Sequence, residues 1–186
     1  NEAETDGIIS SCLFAKFIMK AFGAKPVMLI PSQCEKAIKA ISNVLDFAVT
    51  DDIDDKSENT VTYIIFTKER EEAPVQAKEI LSHGKPCAAI SIEAPGRNKN
   101  GFYHNAVGVN TTGVEAKYDV LFKMCKDAGI YNLSIGDLGN EIGMAAIEDH
   151  IRKYVPYAEM GGCKAGSGFG ILADTVADNI ITATVS

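Results

Sequence analysis

Four short apolar runs punctuate the chain: VMLI (27–30), VTYIIF (61–66), CAAISIE (87–93) and LSIG (133–136). Helix-like segments separate them. The first, 8–22, places Ile9, Leu13 and Phe17 on one helical face and Lys16 and Lys20 on another. Gly23 ends it, and Thr5 or Asp6 in the preceding Glu4-Thr5-Asp6-Gly7 can cap it. Further helices are expected over 34–43 with Ser32 as cap, over 73–83 before Gly84, over 114–128 before Gly129, and over 141–154. Strands that alternate with helices argue for βαβ units. The expected fold is therefore α/β: three-layer and Rossmann-like, a mostly parallel sheet with helices on both faces. Right-handed crossovers put successive strand ends on one edge, where open α/β sheets bind ligands.

That edge would bring together two stretches. The first is GDLGNEIGMA (136–145), in which Asp137, Asn140 and Glu141 crowd a turn that opens a helix, while Gly136, Gly139 and Gly143 let the backbone bend and approach a ligand. The second is EAPGR (93–97), just past the third run, which leads into an irregular stretch, 94–113, of a length typical of binding loops.

At 186 residues the chain is long enough for one self-sufficient domain, 1–186. Its net charge of −7 argues against a nucleic-acid backbone as partner. Five cysteines form no CxxC pair or repeated spacing and read as reduced thiols in a cytoplasmic or mitochondrial-matrix compartment. No signal peptide and no 18-residue apolar run points to a membrane. Because the chain starts at Asn1 and ends within IITATVS, it reads as truncated at one or both ends.

Several residues could carry chemistry. Asp137 and Glu141 could split the roles of acid and base, or with Asn140 hold Mg²⁺ or Mn²⁺. The plainer account is that Asp137 or Asn140 caps the helix and Glu141 complements its dipole. Arg97 offers a planar fork for a carboxylate or phosphate, or is a surface arginine. His104, beside Asn105, could move protons near neutral pH or simply belong to its loop. The acidic run DDIDDKSENT (51–60) lacks the turn glycine and terminal Glu of a calcium loop and reads as solvated. GSGFG (166–170) suggests a phosphate cradle but lacks the rest of a P-loop. No nucleophile motif is present.

Taken together, ETDG (4–7), EAPGRNKNGFYHN (93–105) and GDLGNEIGMA resemble, in order and over nearly the whole chain, the D-glutamate cyclase family. The family pattern runs ETDGP, ERPGR…DGRYYN, IGDGGNEIGMG and VSNWG, and Val185-Ser186 match the start of the last block. Here Ala94 and Phe102 replace arginines, His104 replaces Tyr and Leu138 replaces Gly. The resemblance implies a hydro-lyase that converts D-glutamate to 5-oxo-D-proline with loss of water, with Mn²⁺ or Mg²⁺ as helper and no nucleotide or haem. Asp137, Glu141, Glu93 and His104 are the candidate catalytic groups. Asp137 and Glu141 are also the candidate metal ligands. Arg97, Asn105, Asn140, Gly136, Gly139, Thr5 and Asp6 are candidates for holding substrate. The expected partner is a small amino acid or dicarboxylate, with a homo-oligomer compatible. Two other readings stay open: a non-catalytic binder of small anions, and a metal-dependent hydrolase of a phosphorylated metabolite.

Overall fold

The computed structural model describes residues 5–159 and 170–182, with side chains from Gly7 onward. Glu4, most of the GSGFG passage, Cys163 and Val185-Ser186 lie outside the described residues, as do the side chains of Thr5 and Asp6. The chain divides into two compact units, Asn1–Gly84 and Lys85–Ser186.

The first unit contains α1 (Thr5–Phe22), β1 (Val27–Ile30), a 3-10 turn (Ser32–Cys34), α2 (Glu35–Leu45), β2 (Ala48–Thr50), β3 (Thr60–Ile65) and α3 (Ala73–Ser82). Its strands form a parallel sheet in the order β1-β3-β2. The register pairs Met28 with Tyr63 and Val49 with Val61. Residues so paired share a face, and α1 and α2 cover it with Cys12, Ala15 and Ile38. The side of α1 that packs is thus Ile8, Cys12, Ala15 and Met19. The Ile9, Leu13 and Phe17 face is open, with Leu13 51% exposed. Ser32 does not cap α2: it opens the 3-10 turn, and no side chain caps either helix start. The acidic run forms local turns in which Asp52 and Asp55 accept backbone N–H groups two residues on.

The second unit contains β4 (Ala88–Ile92), α4 (Tyr118–Asp127), β5 (Tyr131–Gly136), a 3-10 turn (Ala145–Ile147), α5 (Glu148–Tyr154) and β6 (Asn179–Thr182). Its sheet is also parallel, in the order β4-β5-β6. The α/β reading with parallel strands holds, the strands being shared between two three-stranded sheets. One face of the second sheet carries small or polar residues, among them Ala89, Ser91, Asn132 and Ser134. That leaves room for Phe122 of α4 and for Ile142 to pack against Ala89 and Ile180.

Two expected helices start later than the sequence suggested. Residues 112–114 form a turn and 116–117 are irregular; the buried Lys117 ammonium donates to the carbonyls of Thr112 and Glu115, and α4 begins only after it. No helix starts at Glu141. Gly139 and Gly143 both sit at φ +95°, in the left-handed region where glycine is at ease, and between them Glu141 forms a bridge to Pro95 before the chain turns at 142–143. The helix waits until Glu148, where Glu148 and Asp149 supply first-turn acids.

The first unit's core yields a paired prediction. Ile38→Ala, at a fully buried site, should cost about 2–5 kcal/mol. Leu13→Ala, on the open face of α1, should stay within about 0.5 kcal/mol. Urea unfolding of the two variants measures the difference.

Candidate functional site

The site is built where β4 and β5 end side by side. Ile92 pairs with Ile135, and the next amide, Glu93 N–H, donates to the Ile135 carbonyl at 2.9 Å. Glu93 then turns at φ +50°, an uncommon conformation for a residue with a side chain and one that recurs at functional sites. Residues 94–96 run antiparallel to 140–142: Gly96 N–H donates to Asn140 O at 2.8 Å and Ile142 N–H to Ala94 O at 2.9 Å. The approach is close enough that a Cβ on Gly96 would lie 3.2 Å from Ile142 Cα.

Glu141 folds back over the end of β5. Its carboxylate accepts the backbone N–H groups of Asp137 and Leu138, both at 3.2 Å, and of Gly139 at 2.7 Å. Three successive amides converging on one anion make a nest, the motif that often holds a phosphate or a ligand carboxylate. Here the chain's own Glu141 occupies it. Glu141 therefore complements no helix dipole, and Asp137 and Asn140 cap no helix. The block's glycines face protein side chains: a Cβ at Gly136 would meet Glu141 Cγ at 2.8 Å, and one at Gly139 would meet Ile151 Cγ2 at 2.6 Å.

Glu93, Asp137 and Glu141 each bring a carboxylate oxygen to within 4.8 Å of the others. Carboxylates this close repel one another unless a proton or a cation sits between them. Three oxygen donors of this hardness suit Mg²⁺ or Mn²⁺ and are poorly matched to softer metals. The expected pair Asp137 and Glu141 is thus joined by Glu93.

The other candidates are arranged differently. Asn140 donates its amide N–H to His104 O at 3.1 Å, which ties the 98–113 loop to the strand ends, and its Oδ1 is buried without a hydrogen-bond partner among the described residues. His104 itself is fully buried, and burial holds its imidazole below the ordinary value of 6.5. Asn105 shapes its own loop, since its Oδ1 accepts the N–H groups of Val107 and Val109. Arg97 has two acidic neighbours at Nε, Asp174 at 3.1 Å and Asp119 at 3.7 Å. Thr5 and Asp6 belong to the first unit.

Sequence reasoning missed Asp119, Asp174 and Lys117. Asp119 is 2% exposed in the first turn of α4 and accepts the Tyr103 hydroxyl. Lys117 Nζ lies 4.5 Å from the centre of the Tyr103 ring. An acid early in a helix reads as a cap, so nothing local distinguishes Asp119 from a surface residue. The cysteine reading gains physical detail: burial pushes the Cys12 thiol up to about 11 and raises Cys34 and Cys125 as well, which leaves these thiols poor nucleophiles.

Two predictions come from this geometry. Gly136→Ala forces a methyl against Glu141, which three hydrogen bonds hold in place, and should cost about 1–3 kcal/mol in urea unfolding. Gly113→Ala, with open space around it, should change little. The second concerns pH. A buried His104 takes up its proton less readily than in the unfolded chain, so its contribution to stability is full above 6.5 and is lost as pH falls through the lower folded value. Wild-type protein should lose stability below pH 6.5 more steeply than His104→Gln, read from urea midpoints across a pH series.

Among the described residues, no helix is long and apolar enough to cross a membrane. The mitochondrial D-glutamate cyclase of Homo sapiens is 31% identical to this chain over 85 residues, a stretch that is 45% of the chain and 14% of the human protein. A family model described as D-glutamate cyclase-like, C-terminal, matches residues 1–186. With the strand-end carboxylates seated in the blocks that carried the resemblance, and the family model covering every residue, this chain belongs to the D-glutamate cyclase-like C-terminal family.

Proposed function

We propose that this protein is a hydro-lyase that cyclises D-glutamate to 5-oxo-D-proline, using the carboxylates at the ends of β4 and β5. The observation that carries the reading is the convergence of Glu93, Asp137 and Glu141 within 4.8 Å, at adjacent strand ends, in a chain of this family. The name of the human relative supports the substrate.

The reaction sets clear demands. The α-nitrogen of D-glutamate bonds to the γ-carboxyl carbon, and one C–O bond breaks to release water. The ammonium gives up two protons in becoming the lactam N–H, and the departing oxygen takes up two to become water. A carboxylate that accepts a proton from nitrogen and passes it to oxygen thus serves as both base and acid. Glu93 is the group proposed for that relay. Glu141, held by its three amides, fixes the loop that presents Asp137. His104, kept neutral by burial, is proposed to order the loop on the far side rather than to exchange protons with solvent.

Asp137 and Glu141 would hold a divalent cation, Mn²⁺ or Mg²⁺, whose positive charge would make the γ-carboxylate a better electrophile. Arg97 is proposed to face the α-carboxylate. The word mitochondrial in the name of the human relative supports the matrix alternative of the two compartments expected.

Purified protein incubated with D-glutamate and Mn²⁺ should yield 5-oxo-D-proline, followed by NMR. Glu93→Gln should lower kcat/KM by about a hundredfold or more, the scale of a lost proton-transfer group, and Asp137→Asn should lower it together with its response to added Mn²⁺. Wild-type turnover in both variants removes them from the mechanism. A thermal shift with D-glutamate but no product would favour a non-catalytic binder of small anions.

A further inference from the structure

Arg97 is held at both its main chain and its side chain by one residue. Asp174 N–H donates to the Arg97 carbonyl at 2.8 Å, and Asp174 Oδ2 stands 3.1 Å from Arg97 Nε. The side-chain contact is an ion pair without hydrogen-bond alignment, since Nε–H is buried and aimed squarely at neither acid. Behind Nε lies Asp119 at 3.7 Å, itself buried and fixed by the Tyr103 hydroxyl. Tyr103 is fully enclosed, and Lys117 sits over its ring. Among the described residues, both acids make their closest approach at Nε. A guanidinium carries five N–H donors, of which Nε has one, so the four on the terminal nitrogens form a fork that a carboxylate can accept in bidentate fashion. The side chain remains 36% exposed, which leaves that end within reach of a small ligand.

We infer that Asp174, backed by Asp119, is a positioning residue that fixes Arg97 for a substrate carboxylate. The inference rests on the proposed role of Arg97 in D-glutamate binding. The two aspartates are assigned to Arg97 and not to the proton relay, so their loss should weaken substrate capture rather than the relay. Asp174 also links the segment that follows the glycine-rich passage to the end of β4. The Arg97 fork is therefore set by a residue 77 positions away in sequence, 174 minus 97. Two negative charges beside one guanidinium reduce its net pull on an anion, and what they supply in return is a fixed orientation.

The test compares Asp174→Asn, Asp174→Glu and the surface control Asp127→Asn. The last removes an exposed acid paired with Lys123 on α4. Asp174→Asn should raise KM for D-glutamate about tenfold with a smaller change in kcat, the pattern of lost binding. Asp174→Glu, which keeps the charge, should restore part of that loss, and Asp127→Asn should behave as wild type. The Arg97 Nε–H signal in ¹⁵N NMR gives an independent readout: protected in wild type, and lost or broadened in Asp174→Asn. If Asp174→Asn does not fold, the same two measurements on Asp119→Asn decide the matter. An unchanged KM together with an unchanged Arg97 signal overturns the inference. If wild-type protein fails to cyclise D-glutamate, the functional reading fails on its own, and the Arg97 signal still judges the positioning role.

Discussion

Glu141 folding back onto the amides of Asp137, Leu138 and Gly139 is the contact on which the second unit's site depends. It reverses the chain after β5, so that 140–142 can run against 94–96 instead of starting a helix. It explains the glycine at 136, since only a residue without Cβ leaves space for the returning side chain. It also settles the electrostatics of the strand ends. An amide nest there would ordinarily attract a ligand anion, but with Glu141 inside it the local field is that of a carboxylate. Glu93 and Asp137 add to that field. What such a site attracts is positive charge, whether an ammonium group or a metal ion.

The same accounting applies to Arg97. One guanidinium faces two aspartates, so this corner is also acidic on balance. Lys117 does not change that balance for a ligand, because its ammonium is buried against the carbonyls of Thr112 and Glu115 and the Tyr103 ring. Lys99 points its charge at Glu148. The substrate proposed above brings two carboxylates and one ammonium, and its product keeps a single carboxylate. An acidic site suits the ammonium directly and one carboxylate through the Arg97 fork. The second carboxylate needs a further positive charge, which is the role assigned to a divalent cation in the functional proposal.

Much of this was legible in the sequence, and the limits have physical causes. β1 is read residue for residue from VMLI because Gly23 and Pro26 punctuate the chain ahead of it. The meeting of Glu93 with Asp137 followed from reading β4 and β5 as neighbouring parallel strands, whose carboxyl ends lie on one edge of the sheet. β2, only three residues long, carried too little pattern to be seen. The start of α5 was misplaced because acids and glycines before an apolar run look like a capped helix whether or not a side chain turns back on them. The partners of Arg97 were invisible for another reason: Asp119 and Asp174 reach it through tertiary folding, and neither lies near it in sequence.

The positions that depart from the family pattern follow the same logic. Ala94 packs against the Phe122, Ile142 and Ala177 cluster, so a small apolar side chain there serves the sheet beneath the site. A long cation in its place would have to leave that cluster to reach a ligand. Phe102 donates its backbone N–H to Asn98 Oδ1, and Asn98 in turn donates its amide to Gly170 O at 2.8 Å. The backbone of the turn that carries Phe102 is thus tied by Asn98. Positions 94 and 102 are apolar, and the nearby lysines of the same stretch are committed elsewhere: Lys99 pairs with Glu148, and Lys117 is enclosed. For the dicarboxylate proposed above, capture would therefore fall on Arg97, whose main chain and side chain are both held by Asp174.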